Sequence, residues 1–296
     1  MAKNVFRGLG VALITPFEES GAVDYEALDR LVEMHLSAGV DFLCVLGTTA
    51  ETPCLSVEER SMVKRHVIKK VAGRIPILLG CGGNNTAEVV AQLREDDFTG
   101  VDGILSVCPY YNKPSQEGLF QHFKAISEAT DLPVVLYNVP GRTGVNLEAA
   151  TTLRLANECP NVVAIKEASG NIGQIEEILK AKPEGFDVLS GDDAITYELL
   201  LLGAVGVISV VGNAYPVEFG NMVREALAGN VEKALSQHRN FDEFYKLMTV
   251  DGNPAGIKAL VAALGLISHT LRLPLVPARE ETQCKIVDAI KKLQAK

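Results

Sequence analysis

The sequence shows no excess of basic residues, no Cys-x-x-Cys pair and no nucleotide-binding glycine loop. With 28 Lys+Arg against 37 Asp+Glu, the formal net charge is −9. Nucleic acid and anionic bilayers are held by a basic face, so neither is an expected partner. Six cysteines (44, 54, 81, 108, 159, 284) have no spacing suited to zinc, and most lie in apolar runs. They read as small buried hydrophobes in a reducing compartment. Gly-x-x-x-x-Gly-Lys-Ser/Thr, His-Glu-x-x-His and the EF-hand loop do not occur, and Gly80-Cys81-Gly82-Gly83-Asn84 lacks the third glycine of a dinucleotide fingerprint. None of the five histidines ends an apolar strand-like run. No metal and no cofactor is expected. The first ten residues have no apolar stretch of the kind a secretory leader needs. Residues 199–217 are uncharged and long enough to span a bilayer, but Gly203, Gly206, Gly212, Asn213 and Pro216 break them into a helix end, turn, strand and loop. A cytoplasmic protein is expected.

Short apolar runs recur at 10–16, 42–49, 75–82, 103–109, 133–140, 162–169, 186–193 and 206–213. They are near-continuous rather than alternating, as in strands buried on both faces of a parallel sheet. Helical periodicity fills the gaps. Leu28, Leu31, Val32 and Leu36 share a face, Ser56 and Glu59 spell a capping box, and Asn85 and Glu88 suggest another. Eight strands alternating with eight helices predict an α/β TIM (β/α)8 barrel over residues 1–228. Residues 229–296 carry helical patterns and no strand run, and predict a C-terminal helical extension. The length fits: such a barrel takes about 250 residues as one unit. No flexible linker separates the two parts, which are expected to move as one body.

In such barrels the chemistry sits at the C-terminal ends of the strands. Those positions hold Thr48 and Thr49, Tyr110 and Tyr111, Tyr137 and Arg142, Lys166, and Asp192 and Asp193. Lys166 ends the apolar run Val162-Val163-Ala164-Ile165, where desolvation would free its amine to attack a carbonyl. The alternative is a strand-ending lysine that snorkels to solvent. Tyr137 either relays protons beside it or packs in the barrel's top layer. Thr48 and Thr49 offer hydroxyls and amides to a small carboxylate, or serve the turn itself. Arg142 suits a second carboxylate or a surface salt bridge. Asp192-Asp193 reads as helix capping. Lys113 lies in a polar loop where nothing would desolvate it.

Together these residues sit in motifs that resemble the dihydrodipicolinate synthase family, of the N-acetylneuraminate lyase superfamily of class I pyruvate aldolases. The motifs are Gly47-Thr48-Thr49-Ala50-Glu51-Thr52-Pro53, Pro109-Tyr110-Tyr111-Asn112-Lys113-Pro114, Tyr137 to Gly144, Ile165 to Gly170, Ser190-Gly191-Asp192-Asp193 and Gly206 to Val210. The resemblance spans essentially the whole chain. It implies a metal-free lyase of lysine and diaminopimelate biosynthesis, in which Lys166 forms a Schiff base with pyruvate and the enamine condenses with aspartate semialdehyde. It also implies proton relay through Tyr137, Thr49 and Tyr111, with Tyr111 reaching into a neighbouring subunit of a homotetramer. Thr48 and Thr49 match a pyruvate-carboxylate site, Arg142 an outer carboxylate site, and Gly191 and Ile208 the pocket lining. Asn84, Glu88 and Tyr110 match a lysine-binding regulatory site, although Val57 and Arg60 stand where the enterobacterial type has histidines. Relatives with the same lysine cleave or build sugar acids, which is the alternative reading; Arg142 speaks for the synthase. Ala50 departs from the glycine common in the family, and would strain the turn if that position needs a positive φ.

Overall fold

The computed structural model describes residues 5–295. Eight strands close into one parallel barrel in sequence order. They are β1 Gly8–Ala12, β2 Phe42–Val45, β3 Ile77–Gly80, β4 Gly103–Val107, β5 Val134–Asn138, β6 Val162–Glu167, β7 Asp187–Ser190 and β8 Gly206–Ser209. Nearly every strand residue is buried, which explains the unbroken apolar runs. The first strand begins two residues before the expected run and ends four before its close. Gly8 and Leu9 are needed to pair with Gly206 and Val207, so Leu13 onward belongs to the loop.

Eight helices wrap the barrel: α1 Tyr25–Ser37, α2 Val57–Val71, α3 Thr86–Glu95, α4 Gln116–Ser127, α6 Ala149–Glu158, α7 Ile172–Ala181, α8 Thr196–Leu202 and α9 Pro216–Leu227. A short turn of helix, α5 Pro140–Thr143, is inserted after β5. The capping box of α2 is present: Ser56 Oγ accepts from the Glu59 amide, and the Glu59 side chain accepts from the Ser56 amide. The second box is not. Asn85 caps α3 through Ala87 N, but Glu88 accepts from the Asn85 side chain instead of its backbone (2.8 Å). α8 ends at Leu202 with Gly203 in the left-handed region, so the uncharged stretch 199–217 is broken as its glycines predicted. Among the described residues no helix is long and apolar enough to cross a membrane.

Beyond the barrel, α10 Val231–Arg239 packs on α9, and α11 Asp242–Val250, α12 Ala255–Ala263 and α13 Glu280–Gln294 pack on one another. Two apolar clusters result. One fills the barrel interior, with Phe6, Phe42, Cys44, Leu78, Leu105, Val135, Tyr137, Leu189 and Ile208 among its members; the larger lies between sheet and helices.

The seam where β8 meets β1 opens on a glycine pair, Gly8 and Gly206. A Cβ on Gly206 would stand 2.3 Å from Gly8 O and 2.5 Å from Gly8 N, and neither backbone atom can yield. Gly206→Ala should therefore lower stability in urea titration by roughly 3 kcal/mol, the scale of severe overpacking. Gly229→Ala, at φ +79° but facing open space, should cost about 1 kcal/mol from backbone strain alone.

Candidate active site

One irregularity decides what the barrel mouth contains. Along β5 and β6, Val134 pairs with Val162 but Val135 with Ala164, leaving Val163 as an extra residue. Were Val163 paired and the register unbroken from Val134–Val162, Tyr137 would face Ile165. With Val163 left out of the pairing, Tyr137 pairs with Lys166 and Asn138 with Glu167. Successive residues of a strand point to opposite faces, so this one-residue shift sets which residue of β6 joins the inner row.

Lys166 is 5% exposed, and its Nζ lies 4.3 Å from the centroid of the Tyr137 ring. Gly191, just past β7, makes room for its stem: a Cβ there would come within 3.0 Å of Lys166 Cγ and Cε. Ile208 of β8 joins the same interior cluster as Tyr137. Burial pushes the neighbouring Cys44 thiol up to about 11 against the opposing pull of the Lys166 ammonium, and burial takes Cys81 and Cys108 to about 12. All three stay protonated at neutral pH, so they are inert thiols as their apolar settings suggested.

On the outer face of the same strand ends, Glu167 is fully buried and multiply bonded. It accepts from Asn138 Nδ2 (2.9 Å), Gln174 Nε2 (3.0 Å) and Ser169 N (3.2 Å). Burial raises its carboxyl above the usual range, and these three donors oppose the rise. Asn138 also receives the Leu147 amide (2.9 Å). This bonded layer ties β5 to β6 directly behind the Tyr137–Lys166 pair.

Thr48 and Thr49 lie in a single 3-10 turn after β2, with Thr49 buried. The strain foreseen for Ala50 falls elsewhere. Ala50 keeps an ordinary backbone, while Leu46 (φ 57°) and Glu51 (φ 55°) take the left-handed conformation. Such a residue costs about 1–2 kcal/mol, and Glu51 is fixed by its partners. Its carboxylate pairs with Lys258 of α12 at 2.5 Å, both side chains being 0% exposed, and accepts from Arg272 N at 3.1 Å. Desolvation lowers Lys258 to about 8, with the Glu51 charge opposing. Its Nζ also donates to Thr270 O (3.0 Å) and sits 4.0 Å from the Phe17 ring centre. Arg272 extends the network with two 2.6 Å bonds to Glu59.

Arg142 is exposed on α5, and its guanidinium donates to the backbone oxygen of Asn253 (3.0 Å) rather than to an acidic side chain. Asn253 in turn donates from Nδ2 to Thr49 Oγ1 (3.0 Å). Tyr111, by contrast, projects away: it is 89% exposed at φ 73° in the loop after β4. In the same loop Tyr110 O accepts from Asn84 Nδ2 (3.1 Å), while Glu88 turns to Asn85 and takes no part. Asp192 caps the turn after β7 as expected, through Ala194 N. Asp193 instead accepts from the Val210 and Val211 amides (2.9 and 2.8 Å), holding the loop that follows β8.

The family model described as the Dihydrodipicolinate synthetase family matches residues 5–293. The chain belongs to the dihydrodipicolinate synthetase family. A 4-hydroxy-tetrahydrodipicolinate synthase of Phocaeicola vulgatus is 60% identical over 296 residues, covering 100% of both chains. The solved dihydrodipicolinate synthase of Thermotoga maritima is 42% identical with a TM-score of 0.96, covering 98% of this chain and 99% of that one. A chloride-inhibited dihydrodipicolinate synthase from Acinetobacter baumannii, solved in complex with pyruvate, is 39% identical with a TM-score of 0.95 over 98% of this chain and 99% of that one.

In this family member the sequence motifs miss three groups of the site: Asn253, Lys258 and Arg272. All come from the C-terminal extension and reach residues about 200 positions earlier. Lys258 alone carries a signal, a single cation within the otherwise apolar Ala255–Ala263.

Breaking the buried pair should be severe. Lys258→Met leaves Glu51 unpaired in the interior, and thermal or urea unfolding should show a loss of about 3–5 kcal/mol, with Glu51→Gln added back recovering part of it. The outer pair answers to acid. The Arg272 guanidinium holds Glu59 down at about 2, so its contribution is complete above the ordinary carboxylate range and is lost as pH falls toward 2. Glu59→Gln should remove roughly 1 kcal/mol of stability at pH 7, allowing for partial solvent exposure, and almost none at pH 2.

Proposed function

We propose that the chain is a 4-hydroxy-tetrahydrodipicolinate synthase, condensing pyruvate with L-aspartate 4-semialdehyde. The observation that carries this is a primary amine, Lys166, buried against the face of Tyr137 at the strand ends of the barrel. The neutral amine attacks the pyruvate carbonyl, water leaves, and an imine remains. Loss of a methyl proton gives an enamine, whose carbon adds to the aldehyde. The substrate's own amine then displaces Lys166 by transimination, closing the ring and restoring the free lysine.

Each supporting group has a task set by its chemistry. Thr48 and Thr49 offer hydroxyls and backbone amides to the pyruvate carboxylate. Tyr137, beside the amine, relays protons in imine formation and carbon–carbon bonding. Arg142, whose side chain donates to the Asn253 backbone oxygen and pairs with no acid among the described residues, takes the carboxylate of the semialdehyde through its planar fork. Gly191 keeps the amine's approach open, and Ile208 walls the pocket. Tyr111, 89% exposed in its own chain, extends the Tyr137–Thr49 relay in a second copy, and the working form is a homo-oligomer, a tetramer built as a dimer of dimers.

A coupled assay with pyruvate and aspartate semialdehyde, following reduction of the cyclic product, should show saturable turnover. Pyruvate with borohydride should add irreversibly to the wild type and not to Lys166→Ala, which should lose at least about 1,000-fold in kcat. Arg142→Ala should chiefly raise KM for the semialdehyde. Pyruvate trapping without turnover on the semialdehyde would instead mark an aldolase with a sugar-acid acceptor.

A further inference from the structure

Asn253 touches both groups assigned above to carboxylate binding. Its Nδ2 donates to Thr49 Oγ1 (3.0 Å), and its backbone oxygen accepts from Arg142 Nη2 (3.0 Å). It occupies the turn between α11 and α12, and that turn is fixed from several sides. Asp251, two residues before, accepts from Arg279 N (3.0 Å) and Nε (2.6 Å). Gly256, three residues after, lets α12 lie against α11: a Cβ there would stand 2.8 Å from Leu247 O and Met248 Cα. Within α12, Lys258 pairs with Glu51, so the segment from Asn253 to Lys258 holds the Thr48–Glu51 stretch at two points.

We propose that Asn253 is a positioning residue that sets the direction of the Thr49 hydroxyl proton and holds Arg142 in register with it. The inference rests on the roles given to Thr49 and Arg142 above. A hydroxyl has one hydrogen and two lone pairs. With the amide donating into Thr49 Oγ1, one lone pair is occupied and the hydrogen must point away from Asn253, which is what a relay from Thr49 toward another acceptor requires. The amide orientation follows from the same accounting. Asn253 Oδ1 is buried and takes no hydrogen bond among the described residues; turning the amide over would put the Nδ2 hydrogens there, and unpaired buried donors are rarer than unpaired carbonyl oxygens. Because Arg142 bonds to the backbone oxygen of the same residue, the spacing between the two carboxylate-binding groups is set by one residue rather than by two independent loops.

Asn253→Asp keeps the shape and reverses the bond: a carboxylate accepts the Thr49 hydrogen and draws it away from the relay. Asn253→Ala leaves the hydroxyl free to rotate. The Asp variant should lose about 100-fold in kcat and form the borohydride-trapped pyruvate adduct correspondingly slowly, while the Ala variant loses only about 10-fold, with a raised KM for the semialdehyde. Both should keep thermal midpoints within a few degrees of the wild type. A packing role predicts the opposite order, because Ala opens a cavity and Asp does not. An Asp variant at least as fast as the Ala variant, or an Ala variant within twofold of wild type on both kcat and KM, overturns the proposal, and the Ala result decides it if the Asp variant does not fold. Wild-type protein that traps pyruvate but does not turn over the semialdehyde refutes the aldehyde assignment alone, since the order of trapping rates still tests Asn253. Wild-type protein that traps no pyruvate overturns both readings.

Discussion

Closure of the sheet is the constraint from which the site follows. Because β8 pairs with β1 through Gly206 and Gly8, no strand keeps a free edge, and all eight run parallel toward one mouth. Every residue in the final position of a strand is then either inside the barrel or under the helical shell, with no intermediate choice. Lys166 and Tyr137 fall inside and Glu167 and Asn138 fall outside. The inner pair meets amine to ring, and the outer pair meets carboxylate to amide. One register thus yields an inner face that sets an amine on a phenol ring and a bonded support behind it.

The support is costly and is concentrated where the backbone is least relaxed. Leu46 and Glu51, bracketing Thr48 and Thr49, both hold left-handed conformations. Burying an ion pair returns little net stability, but losing one partner is expensive, so the Glu51–Lys258 pair acts as a latch more than as a source of free energy. The same logic applies to Glu167, whose raised carboxyl shows that burial outweighs its three donors. Strain and desolvation at these positions are tolerated because many contacts elsewhere hold the chain in place.

The repeating architecture was legible in the chain because it is written in local patterns. Eight apolar runs, the Ser56–Glu59 capping box and the glycine breaks between Leu202 and Gly206 each depend on neighbours within a few residues. Lys166 was legible for the same reason, as a cation ending an apolar strand. What local pattern could not supply was contact across distance. Asn253 and Lys258 meet Thr49 and Glu51 only because α12 folds back over the mouth, and a sequence period carries no trace of that. Glu88 was misjudged on a finer point: the Asn85 side chain competes for its carboxylate and wins over the backbone amide. The positive φ expected near Ala50 was displaced by one residue, onto the one whose carboxylate is held on both oxygens.

Val163 has a consequence beyond the geometry it creates. It is left out of the ladder, so the residues beyond it are sorted to inside or outside by counting from the pair that follows, Val135–Ala164. Which group of β6 enters the barrel is therefore stored partly as a length. Removing Val163 itself would only erase the bulge and leave Tyr137 opposite Lys166, whereas removing the paired residue Ile165 would carry Glu167 toward the inner row and Lys166 toward the helical shell, exchanging an amine for a carboxylate at the mouth. In this barrel a conservative-looking lesion, a single missing aliphatic residue beyond the bulge, would put an acid where the amine stands.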